Sequence, residues 1–167
     1  MICWIKGQVI QKWSIASKAG VVINCSGVGY EVQLLNKQLE ALDQSSIQEL
    51  WIHQITREDS SNLYGFKEII QRDLFRKLIS VSGIGAQIGM ALLEDLEAME
   101  IVIAIQEYNI KLLTKSQGVG KRIAERLVVD LKNKLNEFNS NKVENNNEHI
   151  QDQSDNFKKY LKEIKSI

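Results

Sequence analysis

The chain has 167 residues, 44% of them hydrophobic and 25% charged, enough to bury one large core or two small ones. Its formal net charge of +0 excludes a protein coated in basic surface, and no uninterrupted apolar stretch approaches a membrane span. The start, Met1-Ile2-Cys3-Trp4-Ile5-Lys6-Gly7, lacks the basic, apolar and small-residue regions of a secretory signal, so a soluble cytoplasmic protein without a membrane partner is expected.

The first sixty-odd residues read as short strands: Ile2 to Trp13, Val21 to Cys25, Tyr30 to Leu35, Leu50 to Ile55 and Leu63 to Phe66. Gly27-Val28-Gly29 is the clearest turn signal among them, and Tyr30-Glu31-Val32-Gln33-Leu34 alternates as a half-buried strand does. Five short strands in this length suit a small barrel of the oligonucleotide/oligosaccharide-binding (OB) kind. Cys3 and Cys25 sit in apolar runs with no second ligand at metal spacing, so buried free thiols are expected rather than a disulfide or a metal site. No cofactor motif is present.

From Glu68 the period changes. Ile69, Ile70, Leu74, Phe75, Leu78 and Ile79 form a helical stripe, followed by shorter helical patterns at Ile88 to Leu93, Ile101 to Ile105, Ile110 to Leu113 and Ile123 to Leu135. The fold class is therefore mixed, β then α. An OB-fold barrel over 1–64 precedes an all-helical domain over 65–135, then a polar, Asn- and Gln-rich linker over 136–156. Phe157, Tyr160, Leu161, Ile164 and Ile167 mark a short amphipathic helix over 157–167, which is either a docking peptide or a frayed terminus.

Two sites in the helical domain repeat one pattern. Ser82-Gly83-Ile84-Gly85 and Gln117-Gly118-Val119-Gly120 each insert Gly-aliphatic-Gly between helix-patterned stretches, Gly118 lying thirty-five residues after Gly83. The glycines are expected to permit a sharp turn with positive φ and to leave no side chain in the way of a ligand. The middle aliphatic residue would face the core, and the helix that follows would point its first N–H groups at an anion. A single Gly-x-Gly is commonly an ordinary turn; two such hairpins can grip a nucleic-acid backbone.

The charge supports that reading. Residues 65–135 hold eleven Lys or Arg against nine Asp or Glu, while the flanking segments are each slightly acidic. Lys111, Lys115, Lys121, Arg122 and Arg126 face only Glu125 around the second hairpin, a modest phosphate footprint or else a solvated helix face. No Gly-x-x-x-x-Gly-Lys-Ser/Thr loop occurs, so the chain has no ATPase signature of its own. Two rival functions remain. A nuclease or glycosylase with a helix-hairpin-helix grip would need a nucleophilic Lys or an acid cluster beside the hairpins. A single-strand-binding barrel would need exposed stacking aromatics, for which Trp4, Trp13, Tyr30 and Trp51 are available.

Taken together these stretches resemble the RuvA family of Holliday-junction-binding proteins. Gly27-Val28-Gly29-Tyr30-Glu31-Val32, Arg57-Glu58-Asp59, Leu63-Tyr64-Gly65-Phe66, Leu78 to Leu93 and Leu112 to Lys132 carry the resemblance, with Gly120-Lys121-Arg122-Ile123-Ala124-Glu125-Arg126-Leu127 especially close. It implies a homotetramer, alone or paired into an octamer, that holds a four-way junction open without catalysis. The helical domain grips minor-groove backbone near Gly83, Gly85, Gly118 and Gly120, with charge from Lys121, Arg122 and Arg126. Glu58 and Asp59 would form an acidic pin at the crossover, and Arg57 would meet a phosphate beside it. It also implies an ATP-driven RuvB motor and the RuvC resolvase as partners in branch migration.

Three departures from the family stand out. Ala86-Gln87 replaces a common Pro-Lys, leaving Gln87 and backbone donors for the first grip. Gln117 replaces a Pro. Only about a dozen helix-forming residues follow the linker, where the family has a three-helix motor-binding domain, so that domain is expected to be missing or truncated.

Overall fold

In the computed structural model residues 1–144 are described, with side-chain surroundings through Leu135. The chain divides into two compact units, Met1–Leu131 and Lys132–Ile167. The amphipathic stripe from Phe157 and the linker beyond Glu144 lie outside the described residues.

Alternating apolar residues build the N-terminal half. Strands β1 (Trp4–Ile15), β2 (Lys18–Cys25), β3 (Val28–Leu34), β4 (Ile47–Thr56) and β5 (Ser61–Phe66) close into a barrel in the order β1-β2-β3-β5-β4. Closure needs β3 and β5 to run parallel, with Val32 opposite Leu63, while every other pair is antiparallel. This is the expected OB-like barrel. Strand β1 serves two neighbours because its register shifts between Val9 and Gln11. Its first part pairs with β4 and its second with β2, the bend a bulge provides.

Ile5, Val9, Val21, Ile23, Val32, Leu34, Leu50 and Ile52 fill the interior. The tight turn before β3 falls at Ser26 and Gly27, both with positive φ, as a two-residue hairpin loop prefers; Val28 and Gly29 already belong to the strand. Cys25 is half-buried, but Cys3 is exposed, contrary to expectation.

Between β3 and β4 lies a short helix the sequence pattern does not announce, α1 (Asn36–Glu40). Among the described residues five helices follow: α2 (Ile69–Ile79), α3 (Ala86–Asp95), α4 (Ala98–Gln106), α5 (Ile110–Leu113) and α6 (Lys121–Glu144). The first strand extends past its expected end to Ile15. Likewise α6 runs beyond Leu135 into residues expected to be linker. Reciprocal side-chain bonds open two of the helices, Glu68 with Gln71 for α2 and Glu97 with Glu100 for α4.

Several contacts join barrel and helices. Phe75 of α2 is fully buried and meets His53, Tyr64 and Phe66 of β4 and β5 at ring separations of 5.7, 5.2 and 5.1 Å. Burial lowers the His53 pKa, helped by the nearby Arg76 and Arg72, disfavouring the charged imidazolium in this joint. The Arg72 guanidinium lies 5.1 Å from the centre of the Trp51 ring and bonds Asp73. Finally, the Glu94 carboxylate accepts the backbone N–H groups of Asn36 and Lys37 at 2.7 and 2.9 Å, while Lys37 reaches Glu97 at 2.8 Å.

Candidate nucleic-acid interface

The two Gly-aliphatic-Gly loops share a left-handed first glycine and the same closing hydrogen bonds. Leu78 and Leu113 are fully buried at the ends of the preceding helices, and Ile84 and Val119 are 5% and 4% exposed, anchored inward as expected. The Ile84 N–H donates to the Val81 carbonyl at 3.0 Å, and the Val119 N–H does the same to Ser116 at 3.0 Å. In the following turns the carbonyls of Gly85 and Gly120 accept from Gly89 and Ala124. Every one of these pairs is offset by the thirty-five residues found in the sequence.

The paired glycines have different tasks. Gly83 and Gly118 have φ of +83° and +78°, a region side chains resist, so these two make the turn. Gly85 and Gly120 do not. Gly85 caps α3 at φ −89°, and Gly120 is absent from the positive-φ residues, so the expectation of positive φ at both glycines of each pair is corrected. A Cβ added at Gly85 or Gly120 would meet nothing within 4 Å. Neither the fold's sterics nor its dihedrals demand glycine at these positions. What the missing side chains leave is an open approach to the first N–H groups of α3 and α6, those of Ala86, Gln87, Lys121 and Arg122, which no intrahelical carbonyl can reach.

Chemistry on the two loops differs. Lys121 and Arg122 open α6, both exposed, with Lys121 only 3.8 Å from Glu125 in a solvent-washed pair that contributes little. The first loop has no charged side chain from Ser82 to Gln87. Gln87 is exposed and donates to the Ser17 hydroxyl at 3.3 Å, tying α3 to the turn between β1 and β2. Arg126, one turn beyond Arg122, reaches across and donates from Nη1 to the Ser82 carbonyl at 2.9 Å. It was expected as a phosphate contact of its own hairpin; instead it also braces the other one.

Behind the loops a cleft of about 460 Å³ is lined by residues that include Ser17, Asn36, Gln87, Glu94, Asp95 and Gly118. Its two carboxylates already accept backbone N–H groups, Glu94 from α1 and Asp95 from Gln117 at 3.2 Å. An acidic cleft repels phosphate, so the loop faces themselves are the surface suited to an anion. Ser17, Glu94 and Asp95 went unnoticed in the sequence, since each acts through a partner distant in the chain.

Arg57, Glu58, Asp59 and Ser60 form the tip of the β4–β5 hairpin. The Arg57 N–H donates to the Ser60 carbonyl at 2.8 Å, leaving Glu58 and Asp59 as a two-residue loop with both side chains exposed. No salt bridge neutralises either acid among the described residues. Among those residues no group of three or more His, Cys, Asp or Glu could hold a metal ion. No helix there is long and apolar enough to cross a membrane. Of the four aromatic candidates for base stacking, Trp13, Tyr30 and Trp51 are half-buried and Trp4 is exposed.

Residues 1–65 match the family model described as RuvA N terminal domain, and residues 75–133 match that of a SAM-like helix-hairpin-helix tandem. A Holliday junction branch migration complex subunit RuvA of Prochlorococcus marinus (strain NATL1A) is 53% identical over 166 residues, 98% of this chain and 73% of the relative. Its namesake in Synechococcus sp. (strain CC9311) is 49% identical over 142 residues, 85% of this chain and 65% of the relative.

Proposed function

The chain belongs to the RuvA family, and from that premise we propose that it is a non-catalytic scaffold that binds Holliday junctions during branch migration in DNA recombination and repair. The observation that carries this reading is the pair of hairpins with matching turns and an open second glycine, each presenting free N–H groups at an exposed helix start. Such donors, with Lys121, Arg122 and Arg126 beside them, hold phosphate oxygens and read no base edges. Recognition then rests on the shape of the junction.

Four subunits would place one hairpin pair on each arm, and the tetramer acts alone or doubled into an octamer. At its centre the tips bearing Glu58 and Asp59 would gather eight carboxylates, two from each subunit, where the strands cross. Their repulsion of phosphate keeps the crossover open and steers each strand into an arm. Arg57, adjoining the tip, supplies the compensating contact. Movement requires an external motor, which we assign to RuvB, with RuvC as the resolving enzyme; the site of action is the DNA of the cytoplasm.

A gel-shift comparison of four-way junction with linear duplex at matched salt tests the reading. Only a junction engages all four subunits at once, so it should be bound far more tightly. Equal affinity for the two would sink it. The nuclease alternative is judged in the same gel: a labelled junction incubated with Mg²⁺ should remain uncut.

A further inference from the structure

The first hairpin has the backbone of a phosphate grip and none of its charge. From Ser82 to Gln87 its loop carries no ionisable side chain, and Gln87 is tied to Ser17 of the barrel. A cation nevertheless sits on this loop. The Arg126 guanidinium, projecting from α6, donates Nη1 to the carbonyl of Ser82 at 2.9 Å, and a Cβ built on Gly83 would lie 3.2 Å from that same nitrogen. The Ser82 carbonyl belongs to the peptide that leads into the left-handed Gly83, the residue that makes the turn. Arg126 therefore bonds to the first loop at its most constrained point. No reciprocal arm exists: thirty-five residues before Arg126 stands Ala91.

We infer that Arg126 is a positioning residue that locks the first hairpin loop against α6, so that the two loops meet DNA as one rigid surface, and that it lends the uncharged loop its cation. Guanidinium has five donors, and the bond to Ser82 uses one. The exposed remainder can engage the phosphate that the first loop holds. Arg122, on the same helix, has no bond to the first loop and serves the second hairpin alone. This inference rests on the reading that both loops hold backbone phosphate, and it assigns the two arginines different work.

A double-mutant cycle on the full chain separates them. Junction binding is measured for Arg126→Ala, Arg122→Ala, Gly85→Val and the two doubles that combine each arginine change with Gly85→Val. A Cβ built at Gly85 meets nothing within 4 Å, so a side chain placed there starts in open space and obstructs the first loop from outside. With the first loop obstructed, the cost of Arg126→Ala should shrink by about threefold or more, the coupling expected of groups in one network, while that of Arg122→Ala stays the same.

The free protein supplies a second readout. Arg126→Ala should shift the amide resonances of Gly83 and Ile84 and speed exchange of the Ile84 N–H, which bonds Val81 at 3.0 Å; Arg122→Ala should leave them in place. Unchanged first-loop amides together with equal costs on both backgrounds would overturn the inference. Should the wild-type chain show no preference for junctions, the proposed function falls, and the amide shifts still decide whether Arg126 braces the loop.

Discussion

The second hairpin follows its left-handed glycine and buried valine with Lys121 and Arg122, whereas the first follows the same glycine and a buried isoleucine with Ala86 and Gln87. Both loops close through the same carbonyl-to-amide bond, so the turn is set by Gly-aliphatic-Gly and the hydrophobic anchor, and charge is an independent addition. A second difference is internal. Where the first hairpin buries Val81 the second buries Ser116, whose hydroxyl has no partner among the described residues. The two loops share their geometry while the chemistry around it differs.

The largest effect belongs to the turn. Gly118→Val forces a β-branched residue to φ +78° and should destabilise the protein by about 1–3 kcal/mol while abolishing the second grip. Gly120→Val should lose no more than about 1 kcal/mol, the cost of a poorer helix cap, yet still lose junction affinity because its side chain stands over the N–H donors. Thermal unfolding beside gel shift separates the two. Equal destabilisation would mean that both glycines serve the fold and neither an approaching ligand.

Next in size is charge. Gln87→Lys makes the first loop resemble the second and should tighten binding to every junction sequence alike, adding roughly 0.9 to the negative log–log salt slope for each new phosphate contact. Arg122→Glu should do the opposite, again without sequence preference. Were either effect confined to particular sequences, base readout would have to replace backbone contact. At the acidic tip, Glu58→Gln combined with Asp59→Asn should leave junction binding intact or tighter and raise duplex binding more, narrowing discrimination. Loss of junction binding in that variant would instead give the two acids a direct part in holding DNA. The smallest effect lies within the core. Ser116→Val copies Val81 into the second hairpin and removes an unpaired buried hydroxyl, so stability should be unchanged or higher by about 1 kcal/mol in denaturant unfolding. A clear loss would reveal a partner for that hydroxyl.

Local patterns made much of this visible in the sequence. Strand alternation, the switch to helical spacing at Glu68 and the two glycine repeats all appear within short windows, where the period of the backbone dictates the spacing of apolar residues. What stayed hidden depends on distance. Helix α1 is only five residues long and is held by Glu94, whose carboxylate caps it from fifty-eight residues away; no window around Asn36 contains that information. Arg126 looked like one more cation of the second hairpin because its acceptor, Ser82, lies forty-four residues earlier. The left-handed conformation of only the first glycine in each pair was also hidden, since in the first hairpin the second glycine is taken up as the extended N-cap of α3. Residue types singled out the two loops; long-range contacts show what those residues touch.

On this reading the hairpins hold DNA backbone by shape. It is tested most directly by titrating the full chain, over a range of salt, against several four-way junctions of unrelated sequence and against duplexes cut from their arms. All the junctions should share one affinity, every duplex should bind much more weakly, and binding should fall steeply with salt, reflecting many phosphate contacts. Affinities that follow base sequence, or duplexes bound as tightly as junctions, would contradict it.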